Sequence, residues 1–303
     1  MRGLGHLHAL LLATYYKTPF NLACIEMKVI NHGVPEALKE ALMKECNELL
    51  SLPEEEKAEY LDAGPVDPIH IGTALYPAGD GDRYLKYLFL KIFVHPEFHC
   101  PGKPEKLRDV AAQFATQTRD LMLQLTRAIS ESLGLDGGRI SEALNLDSGF
   151  QKLIHNHYPE YDESDGMGRG IVPHTDNGHL ALTFQNGIDG LEVQHNGQWI
   201  QAKPLPGAFF VLVGDQLEIV SNESYKAVMH RVVVRSEQTR TSFVSMFAPC
   251  LDTVVEPVQE LTPRRSGLGV PGHQVQRVRY CTSEKQQGQG ANSNGRRAGT
   301  GPH

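Results

Sequence analysis

The spacing of apolar residues changes character partway along the chain. Between Pro35 and Pro53, Leu38, Leu42, Cys46 and Leu49 fall at helical spacing, with a proline at each end. A longer stripe through Leu107, Val110, Phe114, Leu121, Leu125 and Ile129 stops at Gly134, a natural helix terminator. Helices thus dominate the first half. From Lys152 onward the segments are short: 179–185, 191–194, 199–202, 208–213, 228–235 and 241–248 read as strands. Asn186-Gly187, Asn196-Gly197, Pro206-Gly207 and Gly214-Asp215 divide them. Regular short strands with Gly and Asn turns predict a sandwich or jelly roll, with the helices packed outside it.

Chemistry concentrates in the strand-rich half. His174-Thr175-Asp176 places an imidazole and a carboxylate two residues apart, on one face of a strand, with Thr175 pointing away. His230 follows 54 residues after the aspartate, in the β-branched run Val228-Met229-His230-Arg231-Val232-Val233-Val234. Two imidazoles and one carboxylate can hold a divalent metal on one side and leave the other open, as in non-haem Fe(II) oxygenases. The same set suits zinc in a hydrolase, with water in the fourth position. Arg240 and Ser242, also two apart, favour iron: a guanidinium fork and a hydroxyl on one face would bind a carboxylate beside the metal. With 14 His and 36 acidic residues, a chance His-x-Glu is expected, and His95-Pro96-Glu97 is read as one.

In order along the chain stand Val29-Ile30-Asn31-His32-Gly33-Val34-Pro35, Leu52-Pro53-Glu54-Glu55-Glu56-Lys57, Asn156-His157-Tyr158-Pro159 and Pro173-His174-Thr175-Asp176-Asn177-Gly178. Gly190-Leu191-Glu192-Val193-Gln194, Gly197-Gln198-Trp199-Ile200, Pro206-Gly207-Ala208-Phe209, Gly214-Asp215-Gln216-Leu217-Glu218, His230-Arg231-Val232-Val233 and Arg240-Thr241-Ser242 continue the series. Through these blocks, from about Val29 to about Thr262, the chain resembles the plant-type 2-oxoglutarate- and Fe(II)-dependent dioxygenases, the group of flavonoid and gibberellin oxidases.

The resemblance implies an α+β fold: a double-stranded β-helix (jelly-roll) core with flanking N-terminal helices. It implies Fe(II) on His174, Asp176 and His230. It places the far carboxylate of 2-oxoglutarate on Arg240, Ser242 and Tyr158, and Asn156 against the cosubstrate near the metal. The implied reaction consumes 2-oxoglutarate and O2, releases succinate and CO2, and hydroxylates or desaturates a small organic metabolite; ascorbate would support it. Two alternatives stay open, an oxidase of the same fold that dispenses with 2-oxoglutarate and a catalytically disabled isoform that binds metal or a small molecule.

One dioxygenase domain is expected over 24–262, its helical part 24–150 and its jelly-roll part 151–262. Met1 to Ala23 match no part of the family pattern, so an edge strand is expected to be missing. The closing segment is likewise replaced by 263–303, a low-complexity stretch expected to be disordered, with eight Gly and seven basic residues against one acidic. The remaining residues, 22 basic against 35 acidic, carry about −13, which argues against a nucleic-acid partner.

The five cysteines are scattered without a Cys-x-x-Cys, pointing to a reducing compartment. Ala9-Leu10-Leu11-Leu12-Ala13 after Arg2 has the outline of a signal peptide, but His6 and His8 interrupt it and no small-residue cleavage site follows. No apolar run approaches the roughly 20 residues of a membrane span. A cytoplasmic monomer is expected.

Other conspicuous residues have plainer readings. His155 and His157 point opposite to Asn156 and Tyr158 and read as structural or surface groups. Trp199 reads as packing, His32 as structural, and His179 and His195, beside turns, as solvated. Six residues after Arg240, where many flavonoid-oxidising relatives place an aromatic residue against substrate, stands Met246, with Phe247 next to it. That weakens a flavonoid assignment without removing it, since a thioether also packs against rings.

Overall fold

The computed structural model describes residues 27–64, 66–77, 84–162, 167–235 and 237–262, and the backbone of 12–13 and 278–279. The region 263–303, apart from that short piece of backbone, lies outside the described residues, as does most of Met1 to Ala23.

The two anticipated helices form where the stripes lie. Helix α1 (Glu36–Ser51) buries Leu38, Leu42, Cys46 and Leu49 along one side. It stops at Ser51 because Pro53 disfavours helical backbone at the residue before it. Helix α2 (Glu54–Leu61) follows at once. Helix α3 (Leu107–Ser132) buries Leu107, Phe114, Leu121, Leu125 and Ile129 and ends just before Gly134, whose φ of +76° is open to a residue lacking Cβ. Helix α4 (Arg139–Ala143) completes the helical half.

That half is not all helical. Strands β3 (Ile69–Pro77) and β4 (Tyr84–His95) form an antiparallel hairpin within it. The run Tyr84–His95 shows no apolar–polar alternation because residues of both its faces are buried, Leu90, Ile92 and Val94 on one and Lys91 on the other. Its apolar composition carries no period to read.

The jelly roll is built from eight strands: β5 (Phe150–Tyr158), β6 (Met167–His174), β7 (Leu180–Gln185), β8 (Leu191–His195), β9 (Gln198–Gln201), β10 (Phe209–Val213), β11 (His230–Val234) and β12 (Arg240–Ala248). One set of neighbours runs β10–β7–β12–β5 and the other β6–β11–β8–β9. Tyr158 and Phe210 of the first set share an apolar cluster with Leu191, Val193 and Val232 of the second, so these sides face one another. The opposite side of the first set, through Leu153, Leu182, Val211, Phe243 and Phe247, packs with the residues of α1 and α3 into the main core. A short helix, α5 (Asp215–Val220), follows β10 at Gly214-Asp215, where a turn alone was expected.

The far edge of the sheet also departs from expectation. Strand β2 (Met27–Val29) pairs antiparallel with β10, and the backbone of β1 (Leu12–Ala13) pairs in turn with Met27 and Lys28. The edge beyond β10 is therefore covered by strand backbone.

Candidate active site

Strands β6 and β11 are antiparallel neighbours, with His174 directly opposite His230. Their rings lie 4.2 Å apart, centroid to centroid. Asp176 is not on the strand, as the two-residue spacing suggested, but just beyond its end. The loop still turns its carboxylate inward: Asp176 Oδ1 is 3.9 Å from His174 Nε2 and 4.0 Å from His230 Nε2. Among the described residues these three form the one group of His, Cys, Asp and Glu side chains arranged to hold a metal ion.

Two features suit the imidazoles to holding a metal. His174 Nδ1 is 2.9 Å from the Val172 carbonyl and His230 Nδ1 is 2.8 Å from the Val228 carbonyl. A carbonyl only accepts, so each Nδ1 carries the hydrogen and each Nε2 presents a lone pair toward Asp176. Burial, then the neighbouring His230, lowers the pKa of His174 against the pull of Asp176, which favours the neutral form a metal requires.

The loop itself is braced. Asp215 N–H donates to the Asp176 carbonyl at 2.8 Å, and the Asp215 side chain hydrogen-bonds Thr175. Gly214 has to be glycine, since a Cβ there would sit 2.2 Å from the Gly178 oxygen. Asp215 was not singled out beforehand; its signal was the Gly-Asp pair closing a strand.

The second set stands on β5 and β12, which pair with Arg240 opposite Tyr158 and Ser242 opposite Asn156. Cross-strand partners share a face, so all four side chains project to the barrel interior in two adjacent rows. Gln185 of β7 extends the Ser242 row, and its Oε1 accepts from Arg240 Nη2. Register alone could have found it. Arg240 Nη1 lies 3.4 Å from Ser242 Oγ. Gly190 makes room for the guanidinium: a Cβ on it would come within 2.9 Å of Arg240 Nε.

Arg240 is 2% exposed and meets no carboxylate at ion-pairing distance among the described residues. Its Nε, the Tyr158 hydroxyl and Gln185 Nε2 are all buried without a hydrogen-bond partner. Burial pushes the Tyr158 phenol up to about 12, opposed by Arg240 and Ser242, so it remains a donor. A buried cation with donors beside it is costly unless an anion joins them.

The remaining sequence readings divide. His155 is fully buried and bonded to Asn47 Oδ1 at 2.9 Å, a structural role, and His32 bonds the Gly207 carbonyl at 2.8 Å. Trp199 packs under the Arg231 guanidinium, 4.3 Å from its ring centroid. His179 corrects the expectation of a solvated group. It is fully buried, its Nε2 2.8 Å from Thr126 Oγ1 on α3, because the turn beside it is packed beneath that helix.

The profile of the 2OG-Fe(II) oxygenase superfamily matches residues 149–249, the stretch that spans both sets. Over 244 residues the chain is 58% identical to 2-oxoglutarate-dependent dioxygenase 19 of Oryza sativa subsp. japonica, covering 80% of this chain and 72% of that protein. This chain belongs to the 2-oxoglutarate-dependent dioxygenases. Flavanone 3-dioxygenase 2 of the same plant is 34% identical over 238 residues, 77% of this chain and 69% of that one. Among solved structures, JOX2 in complex with 2OG, Fe and JA superposes with a TM-score of 0.71 at 28% identity, covering 79% of this chain and 72% of that one. Membership makes the protein an oxidoreductase that uses iron, 2-oxoglutarate and O2 on a small molecule. No helix among the described residues is long and apolar enough to cross a membrane.

Proposed function

We propose that His174, Asp176 and His230 hold Fe(II), that Arg240, Ser242 and Tyr158 hold the distal carboxylate of 2-oxoglutarate, and that Asn156 contacts the cosubstrate nearer the metal. The observation that carries this reading is the buried Arg240, which shares the barrel with the three candidate ligands and has no carboxylate at ion-pairing distance among the described residues, Asp189 acting on it only from further off. When bound, iron and 2-oxoglutarate supply the oxidising power, with release of succinate and CO2. The chain's own contribution is orientation. Held by the Nε2 lone pairs and Asp176, the ion would keep room for cosubstrate and O2. The guanidinium fork would hold the far carboxylate of the dicarboxylate and so orient the molecule within the barrel.

The donor set fits iron: two neutral imidazoles and one carboxylate, with no thiolate among them. The orphaned donors around Arg240 favour a reaction that uses 2-oxoglutarate over one that dispenses with it. The reading extends to a single catalytic domain over 24–262, a monomer in the cytoplasm. The free thiols Cys46, Cys100 and Cys250 suit such a reducing compartment.

The test uses the full chain with Fe(II), ascorbate and 2-oxoglutarate, reading succinate against O2 uptake. His174→Ala, Asp176→Ala and His230→Ala should each lose turnover and bound iron. Wild-type turnover in any of them would overturn the ligand assignment.

A further inference from the structure

Arg240 is the first residue of β12, at the point where strand pairing gives out. Exposed Glu237 and Gln238 precede it, and it carries a charge that burial disfavours. On one side β5 supports it, with Tyr158 as its cross-strand partner. On the other, the ladder to β7 ends with Gln185 opposite Ser242, two residues short of Arg240. Strand ends fray, and a frayed backbone here would let the guanidinium swing out toward water.

Asn186, the residue after Gln185, continues the ladder with its side chain. Its main-chain N–H donates to the Thr241 carbonyl at 3.1 Å, as that of a strand residue would. The Thr241 N–H is met by Asn186 Oδ1 at 3.2 Å, and Asn186 Nδ2 donates to the Thr239 carbonyl at 3.0 Å. A side-chain amide offers both an acceptor and a donor, as a peptide group does. Here it spans the residue before Arg240 and the residue after it, so both flanks are held at once. The chain then leaves the sheet at Gly187, whose φ of +85° suits a residue lacking Cβ.

The neighbours of Asn186 serve the same guanidinium. Gln185 Oε1 accepts from Arg240 Nη2, and Gly190 leaves the space beside Nε. The Gly190 carbonyl accepts from Val233 N–H at 2.9 Å, three residues past His230 on β11. Asn186 itself is exposed, so the core gains little from it, and its hydrogen bonds end on Thr239 and Thr241.

We propose that Asn186 is a positioning residue for 2-oxoglutarate: by holding the backbone on both sides of Arg240 it keeps the guanidinium aimed into the barrel and so sets the affinity for the distal carboxylate. This rests on the reading of Arg240 given above. Asn186 acts through Arg240 alone. A fork ordered before the ligand arrives binds more tightly than one that binding itself must order.

The experiment measures calorimetric binding of 2-oxoglutarate to the full chain loaded with Mn(II), for wild type, Asn186→Ala, Asn186→Leu, Arg240→Met and the double variant of Asn186→Ala with Arg240→Met. Both Asn186 variants should bind 2-oxoglutarate about tenfold more weakly, with Mn(II) affinity and melting temperature close to wild type. On the Arg240→Met background, Asn186→Ala should cost less than about a further twofold, because the group it acts through is gone. Unchanged affinity in either Asn186 variant overturns the proposal. So does an equal loss on both backgrounds, which would make Asn186 a general brace of the fold. If Arg240→Met itself binds 2-oxoglutarate as tightly as wild type, the reading of Arg240 fails, and the proposal with it.

Discussion

The two faces of strands β5 and β12 solve opposite problems. On the face toward α3, Gln151 Nε2 lies 3.1 Å from the Ala115 carbonyl, 3.0 Å from Thr118 Oγ1 and 2.9 Å from Ser245 Oγ. Thr118 in turn donates to the Phe114 carbonyl at 2.8 Å. On the barrel face of the same strands, five residues from Ser245 and seven from Gln151, Arg240 Nε and the Tyr158 hydroxyl are buried without a partner. Buried donors whose acceptors lie beside them hold a fold together. Donors that share no acceptor weaken the fold and bind a ligand that supplies one.

The strongest way to break this contrast is to remove the charge on the barrel face. Arg240→Met should raise the KM for 2-oxoglutarate by roughly two orders of magnitude, since losing one partner of a buried charge pair costs about 2–5 kcal/mol. The ligand-free protein should meanwhile melt no lower, and even higher, because an apolar side chain replaces a buried cation that has no carboxylate at ion-pairing distance among the described residues. Arg240→Lys should sit between, a point charge in place of a fork. Steady-state kinetics paired with thermal melts of ligand-free protein would show it. A lower melting temperature with an unchanged KM would make Arg240 a structural residue.

The helix face should respond the other way. Gln151→Ala removes a group that ties α3 to two strands and leaves a cavity, at a cost of about 2–4 kcal/mol. Urea unfolding should report that loss while the KM for 2-oxoglutarate stays within twofold. A large KM change would mean that the two faces are mechanically coupled.

How far each face was legible follows from the same difference. Part of the barrel face could be read because its chemistry demands particular residue types at strand parity, His174 with Asp176 and Arg240 with Ser242; Tyr158 and Asn156 came only through the family resemblance. Parity was only partly the reason, since Asp176 reaches its place from beyond the strand end. The helix face hid its polar groups. Nothing local distinguishes His179, buried under Thr126, from a histidine beside an exposed turn, because burial is decided by a helix some fifty residues earlier. The hairpin β3–β4 was missed because a strand covered on both faces loses its period, and Gln185 because its partner is remote in sequence.

Burial also leaves a signature in acid. Desolvation, helped by His157, pushes His155 down to about 3, and desolvation alone does the same to His179. His179 Nε2–H donates to Thr126 Oγ1, whose own proton goes to the Met122 carbonyl, so both rings serve the fold as neutral groups. An unfolded imidazole takes its proton near 6.5, so below that pH the unfolded state binds more protons than the folded one. The stability these rings permit at neutral pH should therefore decline as pH falls from about 6.5 toward 3. Urea midpoints measured from pH 7.5 to 5 should fall, and His155→Gln or His179→Gln should each flatten that slope by up to one proton. An unaltered slope in both variants would place their protons elsewhere.

Met246 offers the mildest test, because it lies on the barrel face but three rows from Arg240. It is 6% exposed, with Lys152 and Ala181 as its cross-strand neighbours and Gly178 against its side chain. Three two-residue steps put it about 20 Å along the strand from the guanidinium, beyond direct contact with 2-oxoglutarate. Met246→Leu keeps the volume and removes the flexible thioether, so stability should change by less than about 1.5 kcal/mol. The KM for the oxidised substrate should move severalfold while the KM for 2-oxoglutarate does not, since sites this far apart act nearly independently. Equal shifts in both constants would show that the barrel face is one continuous pocket rather than two ends divided by the metal.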